Sequence, residues 1–139
     1  MPVAEHQFVI DNAAQHAYEA VALEKGVDVD EVHRMRVCHR ISELMVGQLV
    51  EVIPDAHQVT RGGWTVDSHS YVGLSPDSGP DDIIADATWQ QFIDAGNQHP
   101  DAPKVLIGQR ADVIAALREH GVDDRTISDI WEVREKTQI

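Results

Sequence analysis

The sequence predicts an α+β fold, and three observations carry that reading. Helical patterns fill the first fifty or so of the 139 residues, strand-like runs separated by turn residues fill the middle, and helical patterns return at the end. Segregated helices and strands point to α+β, whereas regular strand–helix alternation would point to a doubly wound parallel sheet. The sequence holds no glycine-rich phosphate loop, so nucleotide binding gains no support. A chain of this length is expected to form a single domain over residues 1–139.

Each element follows from its residues. Asp11 to Lys25 is alanine-rich and stops at Gly26, as a helix does. A second helical pattern is offered an N-cap by Asp28 or Asp30 and runs to about Ile53, before Pro54. Its apolar stripe is Cys38, Ile41, Met45, Leu49 and Val52. "HQVTRGGWTVDSHSYVGL" predicts two strands around a Gly62-Gly63 turn. In the second, Trp64, Val66, Val72 and Leu74 share an apolar parity, while Asp67, His69 and Tyr71 share the other. "LSPDSGPDD" is a turn-rich loop and "IIADATW" the next strand. A short helix is expected from Trp89 to Ala95, "GNQHPDAP" as a loop, and a strand from Lys104 to Gly108. Helices are expected near Arg110 to Glu119 and Thr126 to Glu135, the second with a solvated acidic face of Asp123, Asp124, Asp129, Glu132 and Glu135.

Composition excludes several functions. A formal net charge of -13 argues against a nucleic-acid-binding surface, which needs clustered positive charge. No apolar run reaches the length of a membrane span. The N-terminus lacks the basic and apolar segments of a secretion signal, and one cysteine permits no internal disulfide. Both favour the cytoplasm, with export by another signal left open. His33 and His39 flank Cys38, but their spacing of six does not suit one helical face, and no metal or other cofactor is expected.

Three side chains carry the candidate chemistry. Cys38 lies in "HRMRVCHR", with Arg34, Arg36 and Arg40 close by in an acidic protein. It reads either as a core cysteine on the apolar stripe or as a thiol activated by positive charge. A bend near Met35 to Val37 would make Cys38 open a helix and gain its dipole; a continuous helix from Glu31 would not. His69 lies mid-strand, and Asp86 follows seventeen positions later. Adjacent antiparallel strands joined by "SPDSGPDD" place both on one face. Asp86 then accepts from one ring nitrogen of His69, leaving the other for the thiol, which divides the labour as nucleophile, base and orienter. The alternative for Asp86 is a turn-capping residue ahead of Trp89. Trp89, Gln90, Gln91 and Phe92 either pack in the core or line a pocket, with Trp89 as its wall and Gln90 presenting an amide to a substrate.

The order of cysteine on a helix, histidine on a strand and aspartate on the next strand resembles the papain-like and transglutaminase-like cysteine hydrolases. "VCHRISELM" resembles their nucleophile helix, "DSHSYV" their histidine strand and "IIADATWQQF" their aspartate strand end. The resemblance covers about Arg34 to Phe92. It implies a papain-like fold, with N-terminal helices on a small antiparallel sheet, and a thiol hydrolase or acyl transferase with a Cys38–His69–Asp86 triad. His39 follows the cysteine where that family carries an aromatic residue, and no glutamine lies shortly before it. The oxyanion hole is therefore left to the Cys38 amide and a donor the sequence does not name. The implied partner is a protein or peptide substrate or a small amide. The chain's length favours one side-chain amide over an extended peptide. The rival reading is a non-catalytic protein-binding module that keeps the fold.

Overall fold

The computed structural model describes residues 3–32, 37–62, 69–76, 79, 82–92 and 105–133. Helix α1 spans Val3–Lys25, α2 Val29–Val32 and α3 Cys38–Leu49. Strands β1 (His57–Arg61), β2 (His69–Gly73), β3 (Ile83–Asp86) and β4 (Leu106–Gln109) follow, with a 3-10 turn at Trp89–Phe92 between the last two. Helices α4 (Arg110–Glu119) and α5 (Asp124–Ile130) close the described chain. The strands form one sheet in the order β1-β2-β3-β4, antiparallel throughout. The architecture is α+β.

Helix α1 buries Ile10, Ala13, Ala14, Ala17, Tyr18, Val21 and Ala22, a stripe at helical spacing whose small residues let α3 approach closely. Gly26 closes it at φ 66°, with Val27 N donating to Ala22 O and Gly26 N to Leu23 O. This is a Schellman end, which needs the left-handed conformation that glycine reaches without strain. Gly121, at φ 93°, closes α4 in the same way.

Register divides the sheet into two faces. Val72, Leu74 and Ala85 join α1 and α3 in one core, with Ile83 and Ile107 packed against it. Tyr71, Ile84 and Leu106 join Val113, Leu117, Ile127, Ile130 and Trp131 of the C-terminal helices in a second. The sheet is thus sandwiched between helical layers, and all five residues of β2 are buried. That corrects the polar parity expected for His69 and Tyr71. The face they share is covered by α4 and α5, which enter the chain some forty residues later.

Boundaries shift in physically sensible ways. The first helix begins at Val3, ahead of the expected Asp11, because the apolar spacing extends back through Ile10. The expected second helix divides into α2 and α3. Helix α3 ends at Leu49, and the chain turns through Val52 before Pro54. Strand β4 lies at Leu106–Gln109, slightly later than expected, and α5 starts at Asp124. Asp123 is its N-cap and accepts from Thr126 N at 3.0 Å, so this acidic residue has a structural task besides facing solvent. Several expectations fall outside the described residues: Arg34 and Arg36, Gly63, the parity of Trp64, Val66 and Asp67, the helix beyond Phe92, the "GNQHPDAP" loop, and Glu135.

Gly73 shows how tightly the sheet's far end is packed. A methyl group there would lie 2.6 Å from the His57 ring and 2.8 Å from Asp82 Oδ2. The imidazole is bonded to Asp55 O at 2.9 Å, and the buried carboxylate is held by Ser75 N at 2.9 Å. Gly73→Ala is expected to cost about 1–3 kcal/mol. Urea unfolding should show a lowered midpoint at an unchanged slope.

Candidate active site

Strand pairing assembles the site before any side-chain bond is considered. Val72 pairs with Ala85 and Gly73 with Ile84, so His69, Tyr71 and Asp86 share one face of the β2–β3 ladder. His69 is the first residue of β2 and Asp86 the last of β3, so both lie at the same end of the sheet. Cys38 comes from the opposite layer, as the first residue of α3. The first turn of α3 is anchored to the sheet just there. Gln58 Nε2 donates to His39 O at 3.1 Å, and His39 Nδ1 is bonded to Ser70 Oγ, which in turn bonds Thr60 Oγ1 at 2.8 Å.

The three predicted side chains meet. His69 Nε2 lies 2.7 Å from Asp86 Oδ2, and the ring shares a further hydrogen bond with the Cys38 side chain. With Nε2 given to the carboxylate, Nδ1 is the nitrogen that remains for sulfur. His69 and Asp86 are fully buried, whereas Cys38 keeps 5% of its surface exposed. Trp131 and Phe92 enclose the imidazole at centroid distances of 5.4 and 4.8 Å, with Tyr71 at 6.0 Å.

Asp86 resolves its desolvation cost with both oxygens. Oδ2 accepts from His69 Nε2 and from Trp131 Nε1 at 2.9 Å. Oδ1 accepts from Thr88 N at 2.9 Å, two residues on, in an Asx-type turn. Asp86 thus caps the turn through one oxygen and bonds the His69 ring through the other.

The electrostatics follow from that wiring. Burial pushes the His69 imidazole down, but the charge of Asp86, its hydrogen bond and then the Cys38 thiol together hold it up at about 9. A charged imidazolium is thus the favoured form at neutral pH. Burial, then the charges of Asp86 and Cys38, raise the Tyr18 phenol well above its usual range. Tyr18 Oη donates to Ala87 O at 2.6 Å, tying α1 to the turn that follows Asp86.

Other expected contributions land elsewhere. Arg40 is exposed and pairs with Glu24 at 2.5 Å and with Glu43, so its charge is already engaged away from the thiol. Among the described residues, the N-terminus of the twelve-residue α3 and His69 lie at Cys38 and favour its charged form. Trp89 is fully buried in the second core, tilted against His120 at 4.9 Å. It offers no surface to a substrate, which corrects its assignment as a pocket wall; Gln90 beside it is half-buried. Among the described residues no group of three His, Cys, Asp or Glu could hold a metal ion. No helix among them is long and apolar enough to cross a membrane.

Sequence reasoning passed over Trp131, Thr88, Tyr18 and Arg110. Thr88 carried a local signal, since Asp-x-Thr is an Asx-turn pattern. Trp131 carried none, because it reaches Asp86 from forty-five positions away. The chain matches no family model, no curated protein and no solved structure.

Proposed function

We propose that the chain is a cysteine-dependent hydrolase or acyl transferase acting on an amide, built on a papain-like arrangement. One observation carries the reading: His69 is bonded to the Asp86 carboxylate on one side and to Cys38, at a helix N-terminus, on the other. Separate layers of the fold bring these groups together, with the roles of nucleophile, base and orienter distributed as acyl transfer requires.

In this reading the Cys38 thiolate, favoured by imidazolium and helix dipole, attacks the amide carbonyl carbon. The oxyanion meets the Cys38 backbone N–H, which as a first-turn amide has no intrahelical acceptor. The His69 imidazolium then gives its proton to the departing nitrogen as the C–N bond breaks, leaving a thioester. Water or an amine adds to that thioester, His69 takes the incoming proton, and the C–S bond breaks. Water gives a deamidase or peptidase outcome, an amine a transglutaminase outcome. Cys38 alone of the three has exposed surface, so substrate arrives from its side. A single side-chain amide of a protein or peptide, or a small amide, suits such restricted access.

The burial of His69 and Asp86 favours a second reading, a protein-binding module that keeps the wiring without turnover. Iodoacetamide separates the two. An activated Cys38 is expected to alkylate at pH 7 about tenfold faster than a thiol in an unstructured peptide, which is only a few per cent thiolate there. His69→Ala should remove most of the difference. Alkylation no faster than the peptide, followed by mass spectrometry on the native protein, would leave the binding module standing.

A further inference from the structure

Arg110 is 1% exposed, and the chemistry proposed above makes no use of it. Its Nη1 donates to Tyr71 Oη at 2.6 Å and to Trp131 O at 2.8 Å, and its Nε to Gly79 O at 3.2 Å. Asp82, the carboxylate facing it, stands 3.9 Å from Nη2, and among the described residues neither Nη2 nor Asp82 Oδ2 has a hydrogen-bond partner. A buried guanidinium whose facing carboxylate stands beyond hydrogen-bond distance is a poor source of stability compared with an apolar side chain of similar volume. Both Nη1 bonds lead to one place, the end of α5. Tyr71 Oη passes the contact on by donating to Ile130 O at 2.9 Å, and Arg61 Nη1 reaches Ile130 O and Glu132 O at 3.2 and 2.6 Å. Two cations and a phenol thus hold the carbonyls where α5 stops. The residue at that stop is Trp131, whose indole N–H bonds Asp86.

We propose that Arg110 is a positioning residue of the Cys38–His69–Asp86 site: by fixing the end of α5 it sets Trp131, and through Trp131 it seats the Asp86 carboxylate on the His69 ring. The inference rests on the thiol-chemistry reading for its catalytic consequence, while the coupling itself is a property of ring and carboxylate. It also accounts for a buried charge that folding alone does not require.

The sign of an electrostatic change makes the coupling measurable. Losing the Arg110 cation at fixed geometry would raise the His69 titration midpoint, and so would losing the competing indole donor on Asp86. Loss of the Asp82 charge works the other way and offsets the loss of Arg110, so a large fall requires the Asp86 carboxylate to move off the ring. The test variant is Arg110→Gln with Asp82→Asn, which removes one charge of each sign and keeps an acceptor for Ser75 N. Ring titration by NMR should show the His69 midpoint falling by about one pH unit or more. A folded double variant with an unmoved or raised midpoint overturns the proposal. Should that variant not fold, Tyr71→Phe decides, since it cuts the link to Ile130 O without changing charge. A lowered midpoint in that variant supports the coupling and an unmoved one overturns it. Failure of the functional reading is visible separately. Slow alkylation of wild-type Cys38 together with a lowered midpoint in the variants rejects the thiol chemistry and keeps the coupling. Fast alkylation with an unmoved midpoint rejects the role of Arg110 alone.

Discussion

Replacing Asp86 with alanine is expected to cost roughly 3–5 kcal/mol at neutral pH and to reverse how stability depends on pH. In the wild type His69 is held at about 9, above its ordinary 6.5. Its contribution is therefore fully present below about pH 6.5 and is lost as pH rises through about 9. Without Asp86, burial remains the largest influence and only the two weakest, both from Cys38, oppose it. The folded imidazole then titrates below its unfolded value. Acidification must charge a group the fold keeps neutral, so stability falls as pH drops below about 6.5. Urea unfolding of both proteins from pH 5 to 10 would show the two slopes, and their difference cancels groups the substitution leaves alone. If the variant still loses the same stability between pH 6.5 and 9, Asp86 is not what holds the proton on His69. The same variant should alkylate more slowly than the wild type, since the imidazolium that favours the thiolate is gone.

The pairing of His69 with Asp86 was legible in the sequence because it depends on local rules. A turn-rich loop between two short strands makes them antiparallel neighbours, and period-two alternation puts the residues on one face. Cys38 was legible as a residue but not as a helix start. The apolar stripe from Cys38 to Val52 looks the same whether the helix starts at Glu31 or the chain bends just before Cys38. Arg40 was misread for a similar reason: proximity in sequence to Cys38 says nothing of Glu24, which claims it from α1. The covered second face of the sheet was the largest omission. It is built by α4 and α5, and short amphipathic helices do not announce which face they will occupy. Trp131 and Arg110 belong to that layer. Their bonds to Asp86 and Tyr71 span forty-five and thirty-nine positions, with no spacing rule to connect them.

Trp131 is also where the second large effect is expected. The side chain is fully buried among Tyr71, Phe92 and His69, so Trp131→Ala should cost about 3–5 kcal/mol through cavity formation. Trp131→Phe keeps an aromatic ring in the core but removes the donor to Asp86 Oδ2, and a loss of roughly 1–3 kcal/mol is expected. The two substitutions separate packing from wiring. Asp86 in the phenylalanine variant still accepts from Thr88 N and His69, but the oxygen facing the imidazole is no longer fixed from its far side. Cys38 alkylation should therefore slow in the phenylalanine variant although most of the packing survives. Whether the indole acts through the carboxylate is decided by combining Trp131→Phe with Asp86→Ala. If it does, the second substitution erases the effect of the first on the alkylation rate, because nothing remains for the indole to hold. Independent, additive slowing would mean that Trp131 affects the thiol by some route other than Asp86.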